Sequence, residues 1–152
     1  MIFIGKEYAS KVAELINNAQ TNIDIMMYQW NYYSYISNTP IQKISLAVKY
    51  AIARGVNVRV LLHAGSPSDH LLRVNAQMSS NLTKWGASVK FYKRGGILHS
   101  KIIIIDKKLA VIGSHNYSKR SMTSNVEISV LVENGEDVKR LLDYFEILWG
   151  QS

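Results

Sequence analysis

A short run of residues in the last third of the chain places a histidine beside a lysine. His99 and Lys101 stand two positions apart at the start of an isoleucine run at 102–105. Such a β-branched run predicts a buried strand. Because alternate residues of a strand share a face, the imidazole and the ammonium group are expected side by side. This pairing is unsuited to a hydrophobic core and well suited to binding an anion.

A second strand is predicted to return towards the first one. Asp106 and the two lysines after it indicate a hairpin turn, and residues 109–112 then form the returning strand. The end of this strand brings Gly113, Ser114 and Asn116 towards the beginning of the isoleucine strand. Glycine permits a close backbone approach, and the other two side chains offer neutral hydrogen-bond donors.

Two further polar residues of this run are predicted to point away from the anion site. Asp106 lies seven positions after His99, and an odd offset places it on the opposite face of a regular strand. His115 stands between Ser114 and Asn116 and points away from both by the same alternation. We therefore expect Asp106 to affect stability.

Together these residues resemble the phospholipase D superfamily, whose hallmark is His-x-Lys-x4-Asp-x6-Gly-Ser-x-Asn. Every position of the hallmark is present at the family's spacing, namely His99, Lys101, Asp106, Gly113, Ser114 and Asn116. The family also has a downstream carboxylate on a strand, which Glu127 resembles. Ile128 follows it, where many small nucleases of the family have asparagine. The resemblance implies a phospholipase D/nuclease-like fold and catalytic roles for these polar residues.

The chemistry that these residue types allow is cleavage of a phosphodiester. Its negative charge repels nucleophiles and grows denser in the transition state, so the site needs fixed positive donors, a nucleophile and an acid. Lys101 supplies charge, and Ser114 and Asn116 supply oriented dipoles. Neutral His99 can attack phosphorus if its other ring N–H is held, for which Glu127 is the candidate partner. The resemblance implies the same scheme, with a covalent phosphohistidine that water then hydrolyses.

The resemblance also implies two His-x-Lys pairs in each active site, one histidine as nucleophile and one as acid. This chain has one such pair, because the other histidines lack a lysine two positions on, namely His63, His70 and His115. The second pair is therefore expected from a second chain, in a homodimer with a shared active site on a two-fold axis.

The rest of the chain predicts one α/β domain over residues 1–152. Amphipathic patterns indicate helices at about 6–19, 40–54, 71–85 and 135–149. Strands are expected at 2–4, 22–29, 56–62, 87–92, 102–105, 109–112 and 125–132. A strand, a helix and a buried strand in succession imply a parallel pair. The predicted architecture is a mixed β-sheet flanked by helices on both faces.

An aromatic run after the second strand is a candidate substrate surface. Tyr28 and Trp30 are expected to finish a core strand. Tyr32, Tyr33 and Tyr35 fit two interpretations equally well, exposure near the site or packing in the core. If exposed, they could stack on bases or line a lipid interface.

Two loops and a basic segment supply the other candidate contacts. His63 and His70 follow a parallel strand at its carboxyl end, where open α/β sheets bind ligands, although Asp69 and His70 equally fit the start of a helix. Lys93 and Arg94 form a glycine-containing basic loop before the hallmark histidine, suited to phosphate-backbone contacts. A zinc site is not expected, because no other residues have ligand spacing.

Lys119 lies in a second basic segment, predicted as a turn or short helix beside the site. The formal net charge of +7 agrees with an anionic partner, either nucleic acid or anionic lipid. There is no cysteine, which excludes disulfides and thiolate metal sites. No apolar run approaches the length of a membrane span, so no stable membrane association is expected. The sequence as given indicates a cytoplasmic protein, or a periplasmic or secreted protein if a leader peptide was removed.

Three functions compete at this point. The first is a metal-independent, cofactor-free endonuclease that hydrolyses DNA or RNA, favoured by the size, the single hallmark, the basic charge and the aromatic run. The second is a phospholipase D or cardiolipin-type lipid hydrolase, which would favour an exposed apolar patch or an amphipathic anchor. The third is a nucleic-acid-binding protein without activity, against which the intact hallmark argues.

Overall fold

The protein folds around a single mixed β-sheet that has helices on both faces. The computed structural model describes residues 1–33, 39–66 and 68–152. Its strands are β1 (Ile2–Ile4), β2 (Asn22–Met27), β3 (Asn57–His63), β4 (Ser88–Tyr92), β5 (Lys101–Ile105), β6 (Leu109–Gly113) and β7 (Ile128–Val132). Its helices are α1 (Tyr8–Asn17), α2 (Pro40–Ala53), α3 (His70–Trp85), α4 (Lys119–Thr123) and α5 (Gly135–Gly150). The predicted fold class is confirmed.

The sheet order is β1-β7-β6-β5-β2-β3-β4. Strands β2, β3 and β4 run parallel, as the predicted helical crossover requires, and the remaining neighbours pair antiparallel. Asp106 and Lys107 have φ values of 53° and 56°, the left-handed conformation of a tight turn, and lie in the three-residue loop between the paired residues Ile105 and Leu109. This topology gathers the carboxyl ends of β2, β3 and β6 and the starts of β5 and β7 at one edge of the sheet.

The alternation of side chains along β2 divides the core in two. Ile23, Ile25 and Met27 are buried among residues of α1, α2 and α3 on one face of the sheet. Met26 is buried on the other face against Phe145 and its neighbours from α5. The sheet is thus apolar on both sides, which fixes the register of each strand because a one-residue slip would reverse every side chain.

Capping residues mark the ends of the helices. Thr39, Asp69 and Asn134 each accept a hydrogen bond from a backbone N–H in the first turn of the helix that follows. His70 is accordingly the exposed first residue of α3, which decides between its two interpretations. Gly86 ends α3 with a φ of 109°.

Several predicted bounds are wrong by two or three residues, including both ends of the first helix, the end of the second strand and the start of the last strand. The first helix begins at Tyr8 because residues 5–7 form a separate 3₁₀ turn. The last strand begins at Ile128 because the N–H of Asn125 bonds to the carbonyl oxygen of Arg120 at the end of α4. That N–H therefore cannot bond to a neighbouring strand.

One part of the sheet carries exposed aliphatic side chains. Ile2 and Ile4 of β1 are 61% and 64% exposed, and their cross-strand partners Val130 and Ile128 of β7 are 37% and 54% exposed. We call these four residues the β1–β7 apolar face. This face lies on two strands, and the sequence patterns did not predict it. Within the described ranges, no helix is long and apolar enough to cross a membrane.

Candidate active site

The hallmark histidine and lysine lie at the edge of the sheet where five strand ends meet. His99 is exposed and precedes β5, whereas Lys101, the first residue of β5, is buried. The Lys101 Nζ atom donates a hydrogen bond to the His99 carbonyl oxygen at 2.5 Å. Burial lowers the pKa of the Lys101 amine, while the charge of Glu127 opposes the shift. The structure therefore fixes a partly desolvated cation beside a histidine that solvent can reach.

Tyr28 forms a platform under both groups. The ring centroid of His99 lies 4.9 Å from that of Tyr28 in an edge-to-face arrangement. Lys101 Nζ lies 5.1 Å from the same centroid, within the range of a cation–π contact. Both hallmark residues thus contact one ring, in agreement with the predicted shared face. The sequence predicted Tyr28 only as the end of a core strand and missed this role.

Asn75 of α3 holds this platform in place. It is fully buried, and its Nδ2 donates to the carbonyl oxygens of Tyr28 and His63, each at 2.9 Å. Its Oδ1 accepts from the N–H of Trp30 at 2.9 Å. One amide therefore ties the ends of β2 and β3 together. The available sequence signal was a polar residue within the apolar stripe of α3, between Leu71 and Met78.

The glycine of the hallmark is required by sterics. A Cβ atom at Gly113 would overlap both the side chain of Ser129 and the carbonyl oxygen of Ile128 on β7. This is the close backbone approach that the sequence predicted. Ser114, the next residue, exchanges hydrogen bonds with Ile128: its Oγ accepts from the N–H at 3.1 Å and donates to the carbonyl oxygen at 3.4 Å. In the single chain its hydroxyl is thus engaged with β7.

Asn116 is the hallmark residue with an unsatisfied polar atom. Its backbone N–H donates to Ser121 Oγ at 2.9 Å. Its side-chain Oδ1 is buried, and the described part of the chain offers it no hydrogen-bond partner. An unpaired buried acceptor is costly, and a phosphate oxygen cannot satisfy it because both atoms are acceptors; a phosphate could be bound only by the side-chain Nδ2 of Asn116.

Glu127 is held by residues other than His99. Its Oε1 accepts from Ser121 Oγ at 2.7 Å and from Asn125 Nδ2 at 3.1 Å. Burial alone would raise the pKa of this carboxyl, but hydrogen bonds, among them those from Ser121 and Asn125, outweigh burial and lower it. No hydrogen bond or ion pair in the described structure joins Glu127 to His99. The predicted partnership is therefore not formed within one chain.

His115 points away from the hallmark residues, as predicted. It is fully buried, its ring stacks on Tyr8 at 4.1 Å, and its two ring nitrogens contact Ser129 Oγ at 2.8 Å and the Gly5 carbonyl oxygen at 3.1 Å. Burial lowers its pKa, although the Gly5 carbonyl and the Glu127 charge oppose the shift. This histidine anchors the beginning of the chain.

Asp106 lies at the opposite end of β5 from His99. Its carboxylate accepts backbone hydrogen bonds from Gln20 at 2.9 Å, Thr21 at 2.7 Å and Asn22 at 3.1 Å. This agrees with the position that strand alternation predicted for it. It departs from the catalytic role that the resemblance implied, because the strand separates Asp106 from the reacting groups.

His63 borders a largely apolar cleft of about 800 Å³ on one side of the hallmark residues. Its ring stacks on Tyr28 at 5.4 Å, and its Nδ1 accepts from the N–H of Leu98 at 3.3 Å, which places a proton of the neutral ring on Nε2. Burial lowers its pKa, with an opposing effect of Asp69 and a smaller reinforcing one of His99. Lys93 lines this cleft, whereas Arg94 is exposed in the adjoining loop and is not among its lining residues.

A polar groove of about 450 Å³ borders Asn116. The residues that line it are Gln29, Asn31, Tyr33, Asn116, Ser118, Lys119, Arg120 and Asn125. Two predicted substrate contacts, Tyr33 and Lys119, therefore adjoin the hallmark. Tyr32 packs instead with the core near Trp85, their ring centroids 6.4 Å apart, so the core interpretation holds for it. Tyr35 lies outside the described residues.

Across the described ranges, no group of three or more His, Cys, Asp or Glu side chains is arranged to hold a metal ion. The groups at the site are thus a fixed cation, an exposed imidazole and neutral polar side chains, a set suited to phosphodiester chemistry.

Residues 12–149 match the family described as cardiolipin synthase, PLD-like domain. The protein therefore belongs to the phospholipase D superfamily, as the hallmark residues predicted.

Named relatives include lipid enzymes that are longer than this chain. It is 26% identical over 147 residues to the mitochondrial cardiolipin hydrolase of Homo sapiens, covering 97% of this chain and 53% of that protein. It is 31% identical over 133 residues to a probable cardiolipin synthase of Bacillus subtilis, covering 88% of this chain and 25% of that protein. The chain thus spans about half or less of these relatives.

Solved structures with this fold include two proteins of similar length. Nuc of Salmonella typhimurium, a phospholipase D family member, superposes with a TM-score of 0.83 at 22% identity, covering 99% of this chain and 95% of that one. NucT of Helicobacter pylori gives a TM-score of 0.78 at 18% identity, with 99% and 94% covered. These two likenesses establish the fold.

Proposed function

We propose that the protein is a phosphodiesterase, a non-specific endonuclease that hydrolyses DNA or RNA through a covalent phosphohistidine at His99. The observation that carries this proposal is the exposed His99 ring next to the partly desolvated Lys101 ammonium, with both groups against Tyr28. A desolvated cation stabilises the charge that builds on a phosphoryl group in the transition state.

The reaction then has two displacements at phosphorus. A ring nitrogen of His99 attacks, the bond from phosphorus to the leaving oxygen breaks, and a second histidine gives its proton to that oxygen. Water next attacks the phosphohistidine and loses a proton to the second histidine, and the phosphorus–nitrogen bond breaks to release a phosphomonoester and regenerate His99. Lys101 and the Asn116 amide bind the phosphoryl oxygens through both steps.

The second histidine is His99 of another copy, in a homodimer with one shared site. The β1–β7 apolar face supports this part of the proposal, because contiguous exposed aliphatic residues mark interaction surfaces. It continues towards the site through Val126, which is 98% exposed and adjoins Glu127 in the sequence. A second chain seated there would cover apolar surface close to the hallmark edge.

Nucleic acid is favoured as substrate by the charge of the protein and of the site. The formal net charge is +7, and the groove beside Asn116 contains Lys119 and Arg120. A cardiolipin-type lipid hydrolase is the second candidate. It is favoured by the names of the relatives and by the β1–β7 apolar face, which a bilayer could also cover.

The deciding experiment is incubation with plasmid, single-stranded DNA, RNA and cardiolipin vesicles, all in EDTA, with His99→Ala as the control. We expect nucleic acid to be cleaved in chelator, because Lys101 and His99 supply the charge and the nucleophile that a metal would otherwise provide. Acid-quenched enzyme should carry a phosphoryl adduct on His99, detectable by mass spectrometry. Cleavage that stops in EDTA and returns with magnesium would refute the mechanism, and vesicle hydrolysis without nuclease activity would reverse the substrate ranking.

A further inference from the structure

The two sides of the hallmark residues differ in chemical character. The cleft bordered by His63 is walled largely by apolar residues, including Leu72, Ala76 and Phe91. The groove bordered by Asn116 is instead lined by amides, hydroxyls and two cationic side chains. A substrate that crosses the site thus meets an apolar wall on one side and a polar, basic one on the other.

Backbone hydrogen bonds join the two chain segments that border the polar groove. The N–H of Tyr117 donates to the Gln29 carbonyl oxygen at 3.0 Å, and the N–H of Asn31 donates to the Tyr117 carbonyl oxygen at 2.8 Å. The side-chain amide of Gln29 donates to Asn31 Oδ1 at 2.8 Å, and the Asn31 Nδ2 hydrogens have no acceptor among the described residues. The segment after β2 is thereby fastened to the segment that carries Asn116.

The cations of this groove are not neutralised by carboxylates. None of the ion pairs found among the described residues involves Lys119 or Arg120. Both side chains are exposed at the groove, three and four positions after Asn116. The groove therefore combines uncompensated positive charge with neutral hydrogen-bond donors, the chemistry that recognises a phosphate oxygen.

We infer that this groove is a subsite for a second phosphate, the neighbour of the one that is cleaved. The inference rests on the proposed function and deepens it, because it specifies a substrate with repeated phosphodiesters, a nucleic-acid strand. The scissile phosphate lies at His99, Lys101 and Asn116, and the next phosphate along the strand lies at Lys119 and Arg120. The neutral amides of the groove hydrogen-bond to the sugar and the bases between them.

The test compares substrates with one and with two phosphates. For wild-type protein, thymidine trinucleotide with two phosphates should have a kcat/KM at least about tenfold above that of the dinucleotide with one, through a lower KM. In the double variant Lys119→Gln with Arg120→Gln this gain should shrink to about twofold or less. The readout is the ratio of the two substrates within each protein, so any effect of the double variant on the shared cleavage step cancels.

Lys108→Gln with Lys84→Gln provides the matched control. It removes the same charge from exposed positions, in the hairpin at the other end of β5 and on α3, and neither lysine belongs to an ion pair found among the described residues. This control should keep the full gain from the second phosphate. In salt titrations of oligonucleotide binding, only the groove variant should show a slope reduced by about one for each lost cation.

Three outcomes would overturn the inference. An equal gain in the groove variant and the wild type would place the second phosphate elsewhere. A wild type without any gain would mean that no second-phosphate subsite exists. The third outcome concerns lipids. If kcat/KM does not rise from the dinucleotide to the trinucleotide but rises from phosphatidylglycerol to cardiolipin, and the double variant loses that rise, the groove binds a lipid. Dinucleotide hydrolysis that depends on His99 would leave the proposed function standing in the first two cases.

Discussion

The ammonium group of Lys101 lies 5.1 Å from the centroid of the Tyr28 ring, while the same ring meets His99 edge to face. The charge and the nucleophile of the proposed reaction are therefore positioned by one aromatic side chain from a different strand. We therefore expect the ring itself, and not its hydroxyl, to matter for the proposed reaction.

Tyr28→Leu should lower kcat for a dinucleotide by about 3- to 30-fold, the equivalent of a cation–π contact of roughly 0.5–2 kcal/mol. Tyr28→Phe keeps the ring and should stay within about twofold of wild type. Steady-state kinetics with separate kcat and KM values measure both effects. A similar loss in both variants would mean that the hydroxyl, rather than the ring, supports the reaction.

Asp106→Ala should lower the free energy of unfolding by about 1–3 kcal/mol, because it leaves backbone N–H groups of residues 20–22 without their acceptor. Alanine also tolerates the φ of 53° poorly, so Asp106→Asn is the better-matched variant and should cost less. Urea denaturation measures the loss. Active enzyme at a temperature where the variant remains folded would confirm that this carboxylate is structural.

The same aspartate should contribute a pH dependence. Although burial would raise the pKa of Asp106, hydrogen bonds from Thr21, Gln20 and Asn22 prevail and lower it. A lowered native pKa means that the stabilisation is fully present above the unfolded value of about 4 and is lost as the pH falls through the native pKa. The stability gap between wild type and Asp106→Asn should therefore narrow below about pH 4. A gap that stays constant with pH would contradict the assignment.

Gly113→Ala should destabilise the protein by about 1–3 kcal/mol or more, because its Cβ atom would overlap β7. Gly95→Ala is the control, since a Cβ atom there meets nothing within 4 Å and the backbone is not in the left-handed region. Thermal unfolding of the two variants should differ clearly. Equal melting temperatures would show that β6 and β7 can separate without cost.

Mixtures of wild-type and His99→Ala chains should lose activity as the square of the wild-type fraction. The reaction needs one neutral and one protonated imidazole at the same time, so a heterodimer with a single His99 should be nearly inactive. The measurement is the activity of freely exchanging wild-type and His99→Ala chains mixed at a range of ratios. A linear decrease would show that each chain works alone.

A separate prediction tests whether the proposed homodimer forms through the β1–β7 apolar face. Ile128→Glu should yield a monomer in sedimentation experiments, because a charge on a buried apolar interface is costly. Tyr50→Glu is the matched control, since Tyr50 is 57% exposed on α2, away from this face. If Ile128→Glu remains dimeric, the dimer uses another surface; if it instead loses binding to cardiolipin vesicles, the face serves a lipid.

The sequence predicted most of the fold because its signals are local. The isoleucine run before Asp106, the strand pattern at 22–29 and the amphipathic patterns at 40–54 and 135–149 each correspond to an element in the structure. The start of the last strand was misplaced because the N–H of Asn125 bonds to the carbonyl oxygen of Arg120 and not to a neighbouring strand.

The hallmark residues of the site could be recognised from spacing, but their supports could not. Asn75 lies far from Tyr28 and His63 in the sequence, and only the tertiary fold shows that one amide serves both carbonyl groups. Tyr28 likewise contacts His99 and Lys101 only because β2 and β5 pair antiparallel. The contact expected between Glu127 and His99 was inferred from residue chemistry, whereas Ser121 and Asn125 occupy that carboxylate in the single chain.

The pairing of β1 with β7 has a consequence for how the protein assembles. Ile2, Phe3 and Ile4 find their strand partners at Val130, Ser129 and Ile128, near the far end of the chain. Closing so long a loop is entropically demanding, and contacts of large sequence separation slow folding. During synthesis, the first strand must wait until β7 has emerged. We therefore expect the edge that carries Glu127 to be the last part of the sheet to form.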